Sequence, residues 1–354
     1  MGNVCSFSKG YGISKDDLSI EGTPCILYGE LYTTYKTAIA KKIKSKTNLN
    51  PEKLFHSKEN DVIIPCSGET AEDIATSVCI PYDDILLGGD LTVIRSNLDG
   101  AFLSNQLNSA RKYDIARIAQ GKSIVHLQAE ELKKINIAFP SIEEQRKISG
   151  FIDLIDDRIA VQNKIISKYE TLIKGLSYYI IKKFNGKEYK LGTLAEIYQP
   201  QTITKTDLPD NGKYPVYGAN GIIGYYNRFN HKESQIMITC RGSTCGTVNL
   251  STPYSWITGN SMVINIDEHK STVDKKYLYY YLKTQSFNDL ISGSGQPQIV
   301  RKPLVNLNVF LPEISQQIKL GEIIDIFEKT LKNEKEMLSA LQKQKAFLLQ
   351  SMFI

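Results

Sequence analysis

The stretches IAFPSIEEQRKI, residues 137–148, and VFLPEISQQIKL, residues 309–320, decide the fold of this 354-residue chain. Each runs from a short apolar segment through a proline into the first turn of a helix. In the first stretch, Ser141 and Glu144 have the spacing of a capping box, in which each side chain satisfies a backbone amide of the other residue. In the second, Pro312 and Glu313 put a proline and an acidic residue at the same place. The sequence therefore predicts two helices that begin alike.

Both helix starts lead into a heptad pattern. Apolar residues recur at alternating steps of four and three, the spacing of a coiled-coil seam. The seams are Ile148, Ile152, Ile155, Ile159, Gln162, Ile166, Tyr169, Ile173, Leu176 and Ile180, then Leu320, Ile324, Phe327, Leu331, Glu334, Leu338, Leu341, Lys345, Leu348 and Met352. Because a domain separates the helices, we expect them to pair antiparallel about a pseudo-twofold axis. Gln162 and Glu334, each fifth in its seam, are predicted to meet and fix the coiled-coil register.

The segments that precede the helices repeat the same landmarks in the same order, which indicates an internal duplication. Short runs rich in Ile, Val and Tyr, broken by Gly, Asn and Pro, predict mixed α/β domains with short helices near 101–108 and 275–284. The matched pairs are ISKDDL (13–18) with ITKTDL (203–208), Tyr28-Gly29 with Tyr217-Gly218, IIPCSG (63–68) with MITCRG (237–242), and GGDLTVI (88–94) with TGNSMVI (258–264).

The predicted fold class is therefore α+β, with two mixed α/β domains joined by two long helices that form an antiparallel coiled coil. The predicted boundaries follow the helix starts. They are a first domain at 1–140, a central long helix at 141–186, a second domain at 187–312 and a C-terminal long helix at 313–354.

The amino-acid composition argues against a membrane-spanning protein, a metal-binding protein and a uniformly basic nucleic-acid binder. The content of hydrophobic residues, 42%, suffices for more than one core, and no apolar run has the length of a membrane span, so a cytoplasmic protein is expected. Six cysteines without a CxxC pair, and four histidines, are poor material for a metal site. The formal charge of +5 is modest, so any nucleic-acid surface must be local.

The motifs of common enzymes are missing from the sequence. It has no GxxxxGK[ST] phosphate loop, no HExxH zinc motif and no GxSxG elbow. It also lacks any Pro-Pro pair, which the Asn/Asp-Pro-Pro-aromatic motif of an amino-methyltransferase requires. These absences favour a binding protein. Two alternatives stay open, namely a stand-alone DNA methyltransferase or nuclease, and a coiled-coil scaffold that does not read DNA.

Three glycine-rich loops carry polar side chains suited to nucleic acid. They are GANGIIG (218–224), TCRGSTCG (239–246) and SGSGQPQ (292–298). Arg, Asn, Ser and Gln can address base edges or phosphates, and glycine lets a backbone approach closely. Ordinary tight turns are the other interpretation of each glycine.

With its duplicated helix starts, long seams and polar loops, the chain resembles the specificity subunit of a type I restriction-modification system over its whole length. The resemblance implies that 1–140 and 187–312 are target-recognition domains, each reading half of a bipartite site on double-stranded DNA. It implies that the helices measure the unread gap and dock two methyltransferase subunits, and that restriction subunits join them. S-adenosylmethionine, ATP and Mg would belong to those partners, and this chain would have no catalytic residue, cofactor, metal or membrane contact.

Charge and hydrogen-bonding capacity indicate the candidate DNA contacts. Lysines suit phosphates, whereas Arg and Gln suit bidentate contacts with bases. The candidates are Lys41, Lys42, Lys44, Arg111 and Lys122 in the first domain, and Arg228, Arg241, Ser243, Thr244, Gln296, Gln298 and Arg301 in the second.

Overall fold

The computed structural model of the chain describes residues 1–121, 124–183, 186–293 and 295–353, without the side chains of residues 179–183 and 205. Two compact units are present. The first unit comprises residues 1–164 and 336–354, and the second unit comprises residues 165–335. The division falls within both long helices.

The first unit contains three sheets, short helices and the beginning of a long helix. Its strands are β1 (Cys5–Lys9), β2 (Leu18–Ser19), β3 (Thr23–Ile26), β4 (Ser45–Thr47), β5 (Phe55–His56), β6 (Asp61–Pro65), β7 (Ser67–Gly68), β8 (Val78–Ile80), β9 (Leu86–Leu87), β10 (Leu91–Ser96) and β11 (Val125–His126). Its short helices are α1 (Glu30–Thr33), α2 (Ala71–Ile74), α3 (Gly100–Asn108), α4 (Lys112–Ile118) and α5 (Ala129–Lys133), and the long helix is α6 (Ile142–Lys183).

The second unit also combines short strands, short helices and part of each long helix. Its strands are β12 (Lys187–Lys190), β13 (Glu196–Tyr198), β14 (Tyr214–Gly218), β15 (Gly221–Tyr226), β16 (Ile236–Thr239), β17 (Val248–Leu250), β18 (Trp256–Ile257), β19 (Ser261–Asn265), β20 (Ile291–Ser292), β21 (Gln298–Ile299) and β22 (Asn308–Leu311). Its short helices are α7 (Leu191–Leu194), α8 (Lys275–Lys283) and α9 (Arg301–Val305), and the second long helix is α10 (Ile314–Met352).

Sheet topology confirms the internal duplication. The first unit has a four-stranded antiparallel sheet of order β1-β10-β6-β8, and the second has β13-β19-β16-β17. A second sheet in each unit contains one parallel pair, β3 with β9 and β14 with β18. Strand register supports two of the matched sequence pairs, because Val93 faces Ile63 in the first unit as Val263 faces Met237 in the second.

One predicted landmark is wrong. Tyr217 pairs with Ile257 across the parallel strands of the second unit, and the residue with the same pairing in the first unit is Ile26, opposite Leu87. Tyr28 therefore lies two residues beyond the true counterpart of Tyr217. The Tyr-Gly match misled because a dipeptide of common residues recurs by chance near a strand end.

Alternating side chains of each four-stranded sheet supply two cores, as the period of two in a β-strand requires. In the first unit, Val62 and Ile64 pack with Leu103 of α3, whereas Ile63 packs with Ile26 of the second sheet. In the second unit, the sheet packs on α8 in the same way. The helices α3 and α8 each begin at an aspartate, Asp99 and Asp274, whose carboxylate accepts a bond from a backbone amide of the first turn.

The two long helices run antiparallel within each unit, as predicted. In the first unit, Lys345 of α10 forms an ion pair with Asp156 of α6. In the second, the rings of Tyr169 and Phe327 lie 6.0 Å apart. Early residues of one helix thus lie beside late residues of the other.

The capping box at the start of α6 is confirmed. The backbone N–H and hydroxyl of Ser141 donate to Glu144 Oε2 at 3.2 and 2.7 Å, and these bonds hold the pKa of the Glu144 carboxyl below its usual value. Gln162 is buried and belongs to the first unit, whereas Glu334 belongs to the second. Their role in the register stays a prediction.

A buried glutamine ties each long helix to the short helix of its unit. Gln145 Oε1 accepts from Asp99 N at 2.9 Å, and its amide donates to Pro140 O at 2.9 Å. Gln317 repeats this pattern on Asp274 N and Pro312 O at 2.9 and 2.8 Å. Both side chains are at most 2% exposed. The shared glutamine of the two helix-start stretches therefore orients each domain on its helix.

Replacing Gln317 with leucine is expected to lower the free energy of unfolding of the second unit by about 2–4 kcal/mol. The change keeps the volume but leaves the partly buried Asp274 amide and the buried Pro312 carbonyl without their Gln317 partner, and each unsatisfied group costs roughly 1–3 kcal/mol. Urea unfolding followed by the fluorescence of Trp256, the one tryptophan of the chain, measures the loss. The neighbouring Gln316→Leu, at a partly exposed side chain, should change the value by no more than about 0.5 kcal/mol. Equal effects of the two changes would contradict the assigned role of Gln317.

Candidate nucleic-acid interface

The three glycine-rich loops of the second unit converge at one end of its sheets. Thr239, at the end of β16, donates its hydroxyl to Ala219 O at 2.7 Å, and the Thr244 hydroxyl bonds to Asn220 Oδ1. These bonds join the loop after β16 to the turn between β14 and β15. The strand ends therefore bring together two loops that lie some twenty residues apart in the sequence.

The third loop joins them through the backbone. Gly242 N donates to Pro297 O at 3.1 Å, and Ile299 N donates to Cys240 O at 3.0 Å. An antiparallel bridge between Arg241 and Gln298 lies between these bonds. The structure thus places together five of the predicted contacts. They are Arg241, Ser243, Thr244, Gln296 and Gln298, which form the loop cluster of the second unit.

The loop cluster combines one guanidinium with neutral amides and hydroxyls. None of the three loop sequences contains Asp or Glu. Gly242 has a φ of +90°, and a Cβ placed on it would meet nothing within 4 Å, so the space in front of the loop is open. Burial raises the pKa of the Cys240 thiol, with the nearby charge of Arg241 acting in the opposite direction. The surface suits a ligand that offers hydrogen-bond acceptors and negative charge.

The remaining candidates of the second unit lie elsewhere. Arg301 starts α9 and donates through Nε to Ile197 O at 2.6 Å. Arg228 is exposed and follows β15, whose last residue Tyr226 pairs with Tyr214 at the start of β14. The loop cluster lies at the other end of β14, so Arg228 is separated from it by the length of that strand. Their contact with DNA stays a prediction.

In the first unit, charge predicts a set of DNA contacts that the fold does not bring together. Lys41 pairs with Asp153 and Asp157 of α6 at 2.7 and 2.6 Å, so these carboxylates neutralise its charge within the protein. Arg111 donates through Nε to Asn136 O at 2.7 Å. Lys42 and Lys44 are exposed, just before β4. Lys122 lies outside the described residues. Whether any of these side chains touches DNA is an open prediction.

The strand registers point instead to a different set in the first unit. Ser67 pairs with His126 across β7 and β11, as Arg241 pairs with Gln298 in the second unit. Leu127 N donates to Cys66 O as Ile299 N does to Cys240 O. The first-unit counterpart of the loop cluster therefore contains Ser67, Gly68, Glu69, Asp90 and His126, with the Ser67 hydroxyl 3.0 Å from Asp90 Oδ2.

The sequence itself contains a pattern that indicates the first-unit counterpart of the loop cluster. The pairing of IIPCSG with MITCRG already puts Ser67 opposite Arg241. Positive charge does not identify these positions, because this end of the first unit has carboxylates instead of a guanidinium. The two units therefore present different chemistry at the same place in the fold.

Over the part of the chain that the structure describes, no three His, Cys, Asp or Glu side chains are grouped so as to hold a metal ion. Among the helices of those same residues, none combines the length and apolar character that crossing a membrane requires.

Comparison with known proteins identifies the family. The sequence model of the type I restriction modification DNA specificity domain matches residues 1–171 and 185–343, one match on each copy of the duplication. The chain therefore belongs to this family, as its sequence resemblance predicted.

Curated relatives agree with this assignment. The chain is 27% identical over 152 residues to the specificity subunit of the type I restriction enzyme EcoprrI from Escherichia coli, a match that covers 42% of this chain and 37% of that protein. It is 24% identical over 369 aligned positions to the MjaVIII specificity subunit from Methanocaldococcus jannaschii, covering 90% of this chain and 84% of the relative.

Solved structures share the fold. The crystal structure of a type I restriction-modification S subunit from M. genitalium superposes with a TM-score of 0.74 at 18% identity, covering all of this chain and 94% of that one. A chain from a study of complex assembly and conformational transition of the type I R-M system gives a TM-score of 0.53 at 16% identity, covering 98% and 95%.

Proposed function

We propose that this chain is the DNA-recognition subunit of a type I restriction-modification complex and that it reads a bipartite target. The observation that carries the proposal is the pair of units with one topology, each with loops gathered at the same end of its sheets. Two recognition domains on one chain match two half-sites. Because the two loop ends differ in chemistry, the half-sites differ in sequence.

The long helices are proposed to set the distance between the half-sites. An α-helix is a stiff spacer that rises about 1.5 Å per residue, and an antiparallel seam resists sliding. The base pairs between the half-sites would remain unread. In this respect the helices act as the dimer spacing does in other DNA readers.

The chemistry is proposed to reside in partner subunits. Two methyltransferase subunits that carry S-adenosylmethionine would dock on the helices and methylate an adenine that leaves the duplex. Restriction subunits that use ATP and Mg would join this core. This chain would contribute recognition and geometry without a catalytic residue.

Genome-wide mapping of methyladenine tests the proposal. Cells that express the methyltransferase subunits together with this chain should methylate one bipartite motif with a constant gap, and cells without the chain should not. A motif that is continuous, or that persists without the chain, would contradict the proposal. Methyl transfer by the purified chain alone would favour the enzyme alternative, and binding to random duplexes without sequence preference would favour the scaffold.

A further inference from the structure

Arg241 differs from Arg95 and Arg301 in what its side chain contacts. The guanidinium of Arg95 is held by Asp61, and Arg301 donates to a backbone carbonyl. Arg241 is exposed, and its side chain has no hydrogen bond or ion pair to any residue that the structure describes. Its charge is therefore free to bind a ligand.

The backbone on both sides of Arg241 is fixed, so the side chain starts from a defined position. Cys240, directly before it, donates to Asn260 O at 2.9 Å and accepts from Ile299 N. Gly242, directly after it, donates to Pro297 O. A side chain that extends from an anchored backbone loses less freedom on binding than one on a loose loop.

The neighbours of Arg241 select the kind of ligand. Gln298 lies across the bridge from it, and Ser243 and Thr244 follow it in the loop. A phosphate site would contain several cations or backbone amides. Here the guanidinium of Arg241, which offers a forked pair of hydrogen-bond donors, lies among neutral hydrogen-bonding groups. The O6 and N7 atoms of guanine match that fork in the major groove.

Resting on the proposed function, we propose that Arg241 determines specificity by reading a guanine in the half-site bound by the second unit. The first unit has Ser67 in the same place, with its hydroxyl on Asp90, so it has no guanidinium for a guanine there. Arg241 thus makes the second unit require a guanine at one position of its half-site, and the first unit has no such requirement.

The test uses the full chain with its methyltransferase subunits and a library of duplexes randomised one position at a time. The wild-type target is mapped first, then Arg241→Ala and Arg241→Gln are compared with it. Both changes should abolish the preference for guanine at one position of one half-site, a loss of roughly 5- to 150-fold in discrimination, and leave the other positions and the gap unchanged. Thermal unfolding of Arg241→Gln verifies that the variant is folded.

Lys232→Ala is the control, because it removes one positive charge from an exposed side chain of the same unit that precedes β16, whereas the loop cluster follows the end of that strand. It should leave the preference for every base unchanged, whatever its effect on affinity. If Arg241→Ala weakens binding to all sequences alike, as a phosphate contact would, the inference is wrong while the proposed function stands. If the wild-type complex methylates no bipartite motif, the proposed function itself fails.

Discussion

Insertion of one heptad into each long helix should move methylation to targets whose half-sites lie about three base pairs further apart. Seven residues add about 10.5 Å of helix, and duplex DNA rises about 3.4 Å per base pair. A whole heptad keeps the seam in phase, so the antiparallel packing can re-form along the longer pair. Insertion after Lys164 and after Lys335 places the new residues where each helix passes from one unit to the other.

Methyladenine mapping in cells that carry the lengthened chain measures the gap directly. Native targets should lose methylation, since their half-sites no longer coincide with the two units. Insertion into α6 alone is the control, because it puts the two seams out of register and should abolish methylation at every spacing. If the doubly lengthened chain keeps the original gap, the helices do not measure the target.

Replacing Arg95 with alanine is expected to lower the free energy of unfolding of the first unit by about 2–3 kcal/mol, less than for a fully buried pair because the Arg95 side chain is 38% exposed. Asp61 is fully buried in β6, and Arg95 holds both of its carboxylate oxygens at 2.7 and 2.6 Å. Without the guanidinium, the buried charge keeps, among the residues that the structure describes, only the bond from Lys58 N at 2.8 Å. The same pairing raises the pKa of Arg95. Urea dependence of hydrogen exchange in peptides from β6 and β10 measures the loss.

A double variant distinguishes loss of charge pairing from loss of packing. Arg95→Ala with Asp61→Asn removes the buried charge as well, so it should recover a substantial part of the stability. The second unit supports this expectation, because a neutral amide, Gln235, occupies the place of Asp61 and donates to Asp267 at 2.7 Å. No recovery in the double variant would show that packing of the arginine stem dominates.

Features with short-range causes could be predicted from the sequence. The capping box at Ser141 needs only a partner three residues away, and the seams need only a repeated spacing. The duplication can be recognised in the sequence because the buried strands β6 (Asp61–Pro65) and β16 (Ile236–Thr239) keep their apolar pattern. The Tyr-Gly landmark failed because two residues carry too little information to fix a register.

The candidate contacts depended on long-range pairing, which charge patterns do not encode. Lys41 looks like part of a basic patch in the sequence, yet its partners Asp153 and Asp157 lie more than a hundred residues away on α6. Conversely, the polar loops of the second unit gather because the ends of β14 and β16 lie beside the start of β21. The strand register identifies Ser67 and His126 as the counterparts of Arg241 and Gln298, whereas the amino-acid composition gives no reason to choose them.

The interleaving of the two units affects the order in which the chain can fold during synthesis. The second unit is one continuous segment, 165–335, whereas the first also needs residues 336–354. Those residues bring Phe353, 3% exposed, against Phe102 with ring centres 5.1 Å apart. At about 5–20 residues per second, a ribosome needs roughly 10–35 s to pass through the second unit. The apolar face of α6 near Ile152 remains exposed during that interval. The first unit, whose synthesis begins first, is therefore completed last.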